Sequence, residues 1–232
     1  MPDKNPNAIS GFYDGIFHCY DAANVFLTLG LDGRWRRKAA LLALASKPEH
    51  ILDVCCGTGS LSIELNRLSM GRASITSLDF NEAMLSKARA KTSAVSFIRG
   101  EADALPFPDG TFDALTLSFA ARNLNDGGAG LKKYFNEFHR VLRPGGVFVN
   151  LETSRPGNRL IRSLFHAYVR LATVPVRFLS PTHRAAYDFL AGTIADFYPP
   201  EELSAIILEA GFSKVEAHTL MFGAIAIHSA IK

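Results

Sequence analysis

The chain has 232 residues, of which 48% are apolar and 20% charged, with a formal net charge of +3. This length and composition suit one globular domain with a full core and exclude a disordered chain, and so small a charge gives no footprint for nucleic acid. Three cysteines, Cys19, Cys55 and Cys56, form no Cys-x-x-Cys or Cys/His cluster, which excludes a disulfide framework and a metal-ligand pattern and points to reduced thiols in a cytoplasmic protein.

Met1 to Ser10 is polar, with no apolar signal core, and no run of eighteen apolar residues follows. Neither a secretory signal nor a membrane span is therefore expected. The middle of the chain alternates short β-rich runs with helical patterns. Ile51 to Cys56 reads as a strand ending at Gly57, and Ser60 to Leu68 as a helix. Ala73 to Leu78 is a second strand, and Glu82 to Ala90 a helix capped by Asn81. Val95 to Ile98 is a third strand. Ala114 to Ser118 is a fourth, introduced by the turn residues Pro108, Asp109 and Gly110. A helix from about Leu131 to Leu142 stops at Pro144-Gly145-Gly146, and Val147 to Leu151 is a fifth strand.

The tail differs. Glu201 to Ala210 is helical up to Gly211, and Lys214 to Leu220 and Ala224 to Ile231 are strands around a turn near Gly223. Two strands so close together must be antiparallel, because a parallel crossover needs a dozen or more residues. The fold class is thus α/β: a doubly wound, mostly parallel seven-stranded sheet ending in an antiparallel hairpin.

Asp53-Val-Cys-Cys-Gly57-Thr58-Gly59 closes the first strand, and its glycines permit a tight turn with close approach of a ligand. A dinucleotide loop needs a third glycine where this chain has Ser62. Asp53 also opposes a pyrophosphate but suits the ammonium and sulfonium charges of S-adenosylmethionine. A plain strand-to-helix turn capped by Asp53 is the alternative. Asp79 ends the second strand, 22 residues beyond Gly57, where an acid accepts from ribose hydroxyls, unless it merely caps the next helix. Glu101-Ala102-Asp103 follows the third strand, where adenine would lie. Glu101 could accept from the adenine amino group while the Ala102 amide meets the ring, although either acid could simply be solvated. Ser118 ends the fourth strand, where open α/β sheets bind ligands, or is a buried strand serine.

The chain resembles the ubiquinone/menaquinone biosynthesis C-methyltransferases along almost its whole length. The resemblance rests on Tyr20-Asp21, Asn24, Gly30 and Trp35-Arg36-Arg37, then on Asp53 with Gly57-Thr58-Gly59. Further matches are Ala104 to Asp109 (Ala-Leu-Pro-Phe-Pro-Asp), Thr111-Phe-Asp113, Ser118-Phe119 with Arg122-Asn123, Val141 to Gly146, Tyr187, Leu190-Ala191, Ala210-Gly-Phe212 and His228. The glycine loop and Pro-Gly-Gly are shared by many methyltransferases. Arg122-Asn123 combined with the N-terminal signature is the specific part. Cys56 stands where the family usually has glycine, Val25 where it has aspartate, and Ala120-Ala121 where Gly-Leu is common.

The resemblance implies a Rossmann-like class I methyltransferase with S-adenosyl-L-methionine as cofactor and a polyprenylated quinol as acceptor. Demethylmenaquinol is favoured and a ubiquinone-precursor benzoquinol is the alternative ring. It places Arg122 as the group that stabilises a phenolate-like oxygen and Asn123 as the group that orients the ring hydroxyl or a water. Tyr187 and His228 are secondary acid-base candidates, His228 reading more readily as structural. Tyr20 and Trp35 would form an aromatic wall, or pack as core.

One domain spans 1–232, with an N-terminal helical substrate region (1–45) and a basic amphipathic insertion (154–198). From Thr153 to Tyr187 there is no Asp or Glu, but there are six arginines: Arg155, Arg159, Arg162, Arg170, Arg177 and Arg184. Leu160, Ile161, Leu164, Phe165, Tyr168, Val169 and Leu171 recur between them at roughly helical spacing. Such a stretch suits peripheral contact with the inner face of a membrane through 155–184, or a lid with a solvated basic face. Self-association as a homodimer stays open. So do two other functions: a methyltransferase on another apolar small molecule, and a non-catalytic S-adenosylmethionine-binding partner. A nicotinamide dehydrogenase is more distant.

Overall fold

The computed structural model describes residues 20–125, 130–177, 192–194 and 197–232, with backbone alone for Tyr20, Ala22, Ala23 and 175–177. Cys19, Arg184, Tyr187, Leu190, Ala191 and the side chains of Tyr20 and Arg177 lie outside the described residues.

In chain order the elements are α1 (Tyr20–Leu27), α2 (Asp32–Ala43), β1 (His50–Val54), α3 (Ser60–Ser69), β2 (Ser74–Asp79), α4 (Glu82–Lys91), β3 (Ser96–Arg99) and β4 (Phe112–Ser118). They continue as α5 (Ala121–Leu124), α6 (Gly130–Val141), β5 (Leu142–Thr153), α7 (Arg159–Arg177), α8 (Pro200–Glu209), β6 (Lys214–Leu220) and β7 (Ile225–Ile231). The sheet order is β3-β2-β1-β4-β5-β7-β6. Strands β1 to β5 pair in parallel, and β7 runs antiparallel to both β5 and β6. The sheet is therefore the expected doubly wound one ending in an antiparallel hairpin.

The strand order reverses between β1 and β4, which opens a crevice beyond their carboxyl ends. Val54 and Ser118 end those two strands, so the glycine loop and the segment after Ser118 flank this switch point.

Alternation along the strands builds a core on each face. Leu52, Val54, Leu115, Leu117 and Phe148 pack with Phe135 and Phe138 of α6 on one face. Ile51, Ala114, Val149 and Ile227 pack on the other with Leu61 and Leu65 of α3 and with Ala39, Ala40 and Ala43 of α2. Alanines on that face of α2 let its backbone come close to the sheet. Phe148 is the hub of the first core, with Phe135, Phe138 and Phe212 ring centroids 5.4, 5.7 and 5.4 Å away. Each such pair adds about 0.5–1.5 kcal/mol beyond area burial.

Asn81 caps α4 as expected, its Oδ1 accepting from the Met84 N–H at 3.0 Å. The fifth strand is longer than the pattern of apolar residues suggests. It begins at Leu142, straight after α6, and the Pro144-Gly145-Gly146 segment is a bulge inside it. Gly145 has φ +78, and a Cβ at Gly146 would lie 2.8 Å from the Arg143 carbonyl oxygen. The glycines therefore bend a continuing strand rather than only ending a helix.

Candidate active site

The loop after β1 is strained on the cleft side. Cys55 has φ +53, a left-handed backbone that costs a non-glycine residue on the order of 1–2 kcal/mol. Gly59 has φ +77, and a Cβ there would sit 3.1 Å from the Ala88 Cβ and the Phe97 ring. The loop is held from below by Asp79, whose Oδ2 accepts from the Gly57 N–H at 2.8 Å and whose Oδ1 accepts from the Asn81 N–H at 2.9 Å. It is held from above by α1: Asp21 accepts from Thr58 Oγ1 at 2.6 Å and pairs with Lys91 at 2.7 Å, while Lys91 also donates to the Thr58 carbonyl at 3.0 Å.

A cleft of about 120 Å³ lies beside this loop. Cys55, Gly57, Asp79, Glu101, Ala102, Ser118, Phe119, Asn123 and Tyr134 are among its walls. Burial pushes the Asp79 carboxyl above its ordinary value, against donations from the backbone of Asn81, Gly57 and Phe80. A donor arriving from a ligand would favour its ionised form. Burial and the neighbouring carboxylates push the Cys55 and Cys56 thiols well up, so both stay protonated and are poor nucleophiles.

Asp53 stands apart. It shares the buried face of Ile51 beneath α3 and is 1% exposed. Ser62 Oγ donates to its Oδ2 at 2.5 Å and Thr116 Oγ1 to its Oδ1 at 2.7 Å. Burial raises its carboxyl to about 6. Asp53 thus lies beneath the loop and off the cleft wall, and Ser62, the position where a dinucleotide loop has glycine, is its hydrogen-bond partner.

A second, larger cavity of about 590 Å³ opens on the other side of Phe119. Leu27 and Leu31 from the N-terminal segment, Trp35 and Arg36 from α2, and Ile225 from β7 contribute to it. One face of α7 completes it through Ile161, Leu164, Phe165, Tyr168, Val169 and Ala172, spaced as a helix presents one side. Tyr168 Oη donates to the Leu27 carbonyl at 2.9 Å and so ties α7 to α1. The lining is apolar but for a few groups, among them Arg36 and Arg122. A ring with an apolar tail fits such a space better than a polar metabolite does.

Phe119 lines both spaces and has φ +55. Its ring centroid is 6.4 Å from that of Trp35, and the Arg36 guanidinium carbon lies 5.1 Å above it. Arg36 Nη1 donates to Ser118 Oγ at 2.9 Å. Arg122 lines the large cavity, paired at 2.6 Å with Glu152, a carboxylate on β5 that is 0% exposed.

The cleft thus brings together Gly57, Asp79, Glu101, Ala102, Ser118 and Asn123, while Arg122 faces the neighbouring cavity. Thr58 is buried and, with Gly59, shapes the loop from behind. His228 Nε2 meets the Pro200 carbonyl at 3.0 Å and joins β7 to α8, and burial holds its ring below the usual histidine value. Trp35 is in the cavity wall. Sequence reasoning did not single out the roles of Asp21, Arg36, Phe119 or Glu152. Glu152 carried a signal, being one acid at the end of an apolar strand, where burial demands a partner. The other three depend on which segments meet in space.

The profile of the ubiE/COQ5 methyltransferase family matches residues 1–232. The demethylmenaquinone methyltransferase of Thermus thermophilus is 39% identical over 213 residues, covering 90% of this chain and 94% of that protein. The demethylmenaquinone methyltransferase of Beutenbergia cavernae is 36% identical over 231 residues, covering 99% and 93%. Among solved structures, a SAM-dependent methyltransferase from Thermotoga maritima superposes with a TM-score of 0.63 at 17% identity, covering 95% of this chain and 98% of that one, which speaks for the fold alone.

Proposed function

Because the chain belongs to the ubiE/COQ5 methyltransferase family, we propose that it transfers the methyl group of S-adenosylmethionine to a ring carbon of a polyprenylated quinol, with demethylmenaquinol the favoured acceptor. The observation that carries this reading is the pairing of a carboxylate-bearing cleft at the switch point with a large apolar cavity, separated by Phe119.

The cleft carries carboxylate acceptors suited to S-adenosylmethionine. Asp79 would accept from ribose hydroxyls and Glu101 from the adenine amino group, while the Ala102 amide would meet the ring. Among the described residues, no atom beyond Gly57's chain neighbours lies within 4 Å of a Cβ built there, which leaves room for a ligand to approach the backbone. Asp53 acts from beneath the loop as a buried acid whose ionised form a cationic ligand would favour. When bound, the cofactor supplies an electrophilic methyl group on a sulfonium.

The protein's residues do the rest by position and charge. The apolar cavity would hold the tail and bring a ring carbon up to Phe119. Aromatic carbon is a poor nucleophile until a ring hydroxyl ionises, so the protein must stabilise an oxyanion. The cavity wall offers two guanidinium groups for that charge, Arg36 and Arg122, and Asn123, on the cleft side, would orient the hydroxyl or a water.

The mouth of the cavity supports membrane delivery of the tail. Leu29, Leu164 and Phe222 line the cavity and are 70%, 62% and 83% exposed. Arg159 and Arg170 lie on α7, and Arg155 just before it pairs with Glu202 at 3.2 Å. No helix among the described residues is long and apolar enough to cross a membrane, so the contact proposed is peripheral.

Redox state of the acceptor tests the reading. Methyl transfer should proceed with chemically reduced demethylmenaquinone and stop with the oxidised quinone, which has no ring hydroxyl to ionise. Equal rates with both forms would rule out a quinol acceptor.

A further inference from the structure

The large cavity presents two guanidinium groups, and they are not electrically equivalent. Arg122 is compensated: Glu152, with a side chain 1% exposed, is 2.6 Å from its Nη1, and that nitrogen also donates to the Phe119 carbonyl at 2.8 Å. Glu152 is itself fixed by the Thr153 N–H at 2.8 Å and the Thr153 hydroxyl at 3.0 Å. Opposite charges so close together leave little net field a few ångströms away.

Arg36 is held differently. Its Nε lies 3.5 Å from Asp32 Oδ2, and the Asp32 side chain is 15% exposed and also accepts from Thr28 Oγ1 at 3.2 Å. Its other contacts are a neutral hydroxyl, Ser118, and the face of the Phe119 ring. The further acid that feels Arg36 is Asp53 on β1, which is occupied by Ser62 and Thr116. Among the described residues, the ionisable groups in the cavity wall are Asp32, Arg36, Arg122 and Tyr168, with Glu152 directly behind Arg122.

Position reinforces charge. Ser118 lines the cleft, Arg36 lines the cavity and Phe119 lines both, so Arg36 spans the junction. The carbon that receives the methyl group must lie at that junction, and the hydroxyl on the neighbouring ring carbon lies there with it.

We propose that Arg36 is the cation that receives the oxyanion of the acceptor's ring hydroxyl, while the Arg122–Glu152 pair fixes the wall against which the ring rests. The inference rests on the reading of this chain as a methyltransferase acting on a hydroxylated aromatic ring. The O–H bond breaks and its proton passes to water, the oxygen keeping the electron pair. That pair moves through the ring into the new carbon–methyl bond as the sulfur–methyl bond breaks with its electrons going to sulfur. The ring carbon then releases its hydrogen as a proton to water, and aromaticity returns.

The test is a spectroscopic titration of 4-methoxy-1-naphthol, whose naphtholate absorbs at longer wavelength than the neutral form, bound to the protein saturated with S-adenosylhomocysteine. In the wild-type protein the acid dissociation constant of the bound naphthol should rise roughly tenfold or more over the free value, as expected for an oxyanion beside a cation. Arg36→Gln should return it to near the free value, and Arg36→Lys, which keeps a charge, should retain part of the rise. A rise unchanged in Arg36→Gln overturns the proposal. So does a variant that only weakens S-adenosylmethionine binding, since Arg36 would then serve the cofactor carboxylate. Wild-type protein that methylates a quinol but leaves the naphthol unshifted also sinks this inference alone, whereas wild-type protein inactive on every quinol removes the parent reading and the inference with it.

Discussion

Burial raises the Asp53 carboxyl to about 6, against donations from Ser62 and Thr116 and the pull of Arg36. In the unfolded chain the same group titrates near pH 4. The folded state therefore binds the extra proton between roughly pH 4 and 6. The stabilisation from this group is full below about pH 4 and is lost as pH rises through about 6, a loss on the order of 3 kcal/mol. Asp53→Asn cannot ionise, so urea denaturation at pH 4 and pH 7.5 should show a smaller fall in stability than in the wild type. An equal fall in both would contradict the account. Arg122 calls for more care, because its removal strands Glu152. Arg122→Ala should cost about 3–5 kcal/mol of stability as well as turnover. The double variant Arg122→Met, Glu152→Met removes both charges. It should regain most of the melting temperature while turnover stays low and cofactor affinity changes little. Full activity in that double variant would make the pair purely structural.

At the scale of elements, α7 carries the clearest division of labour. Ile161, Leu164, Phe165, Tyr168 and Val169 turn one face to the cavity, and Leu160 and Leu171 stay exposed. Phe165→Ala should raise KM for a long-tailed acceptor roughly tenfold, from the 1–2 kcal/mol of apolar contact it removes. A tail-less naphthoquinol should be little affected. Equal effects on both acceptors would place the tail elsewhere. This face was legible in the sequence because helical periodicity survives whatever the helix packs against. The strand–glycine–helix units were legible for the same reason, as were Asn81 and the terminal hairpin, whose spacing forbids a parallel crossover. The bulge in β5 was not, since Pro-Gly-Gly stops a helix and kinks a strand with the same residues. Nor was the burial of Asp53, which depends on α3 bringing Ser62 over it, or the meeting of Asp21 with Thr58, residues 37 positions apart.

For the whole molecule, the carboxylate-bearing cleft and the apolar cavity meet at Phe119, and the cavity opens among Leu29, Leu164 and Phe222. A basic segment without acids flanks that mouth in the sequence, and each basic residue near an anionic bilayer contributes on the order of 1 kcal/mol. The protein should sediment with vesicles containing anionic lipid at low salt and come off as salt rises, and Phe222→Asp should weaken the association. Absence of sedimentation even at low salt would remove the membrane from the account. Carbon methylation can be read out by incubating the protein with S-adenosylmethionine carrying a labelled methyl group and reduced demethylmenaquinone, then locating the label in the product by mass fragmentation. One labelled methyl group on a ring carbon is expected. Label on a ring oxygen, or tight cofactor binding with no labelled quinol at all, would contradict it.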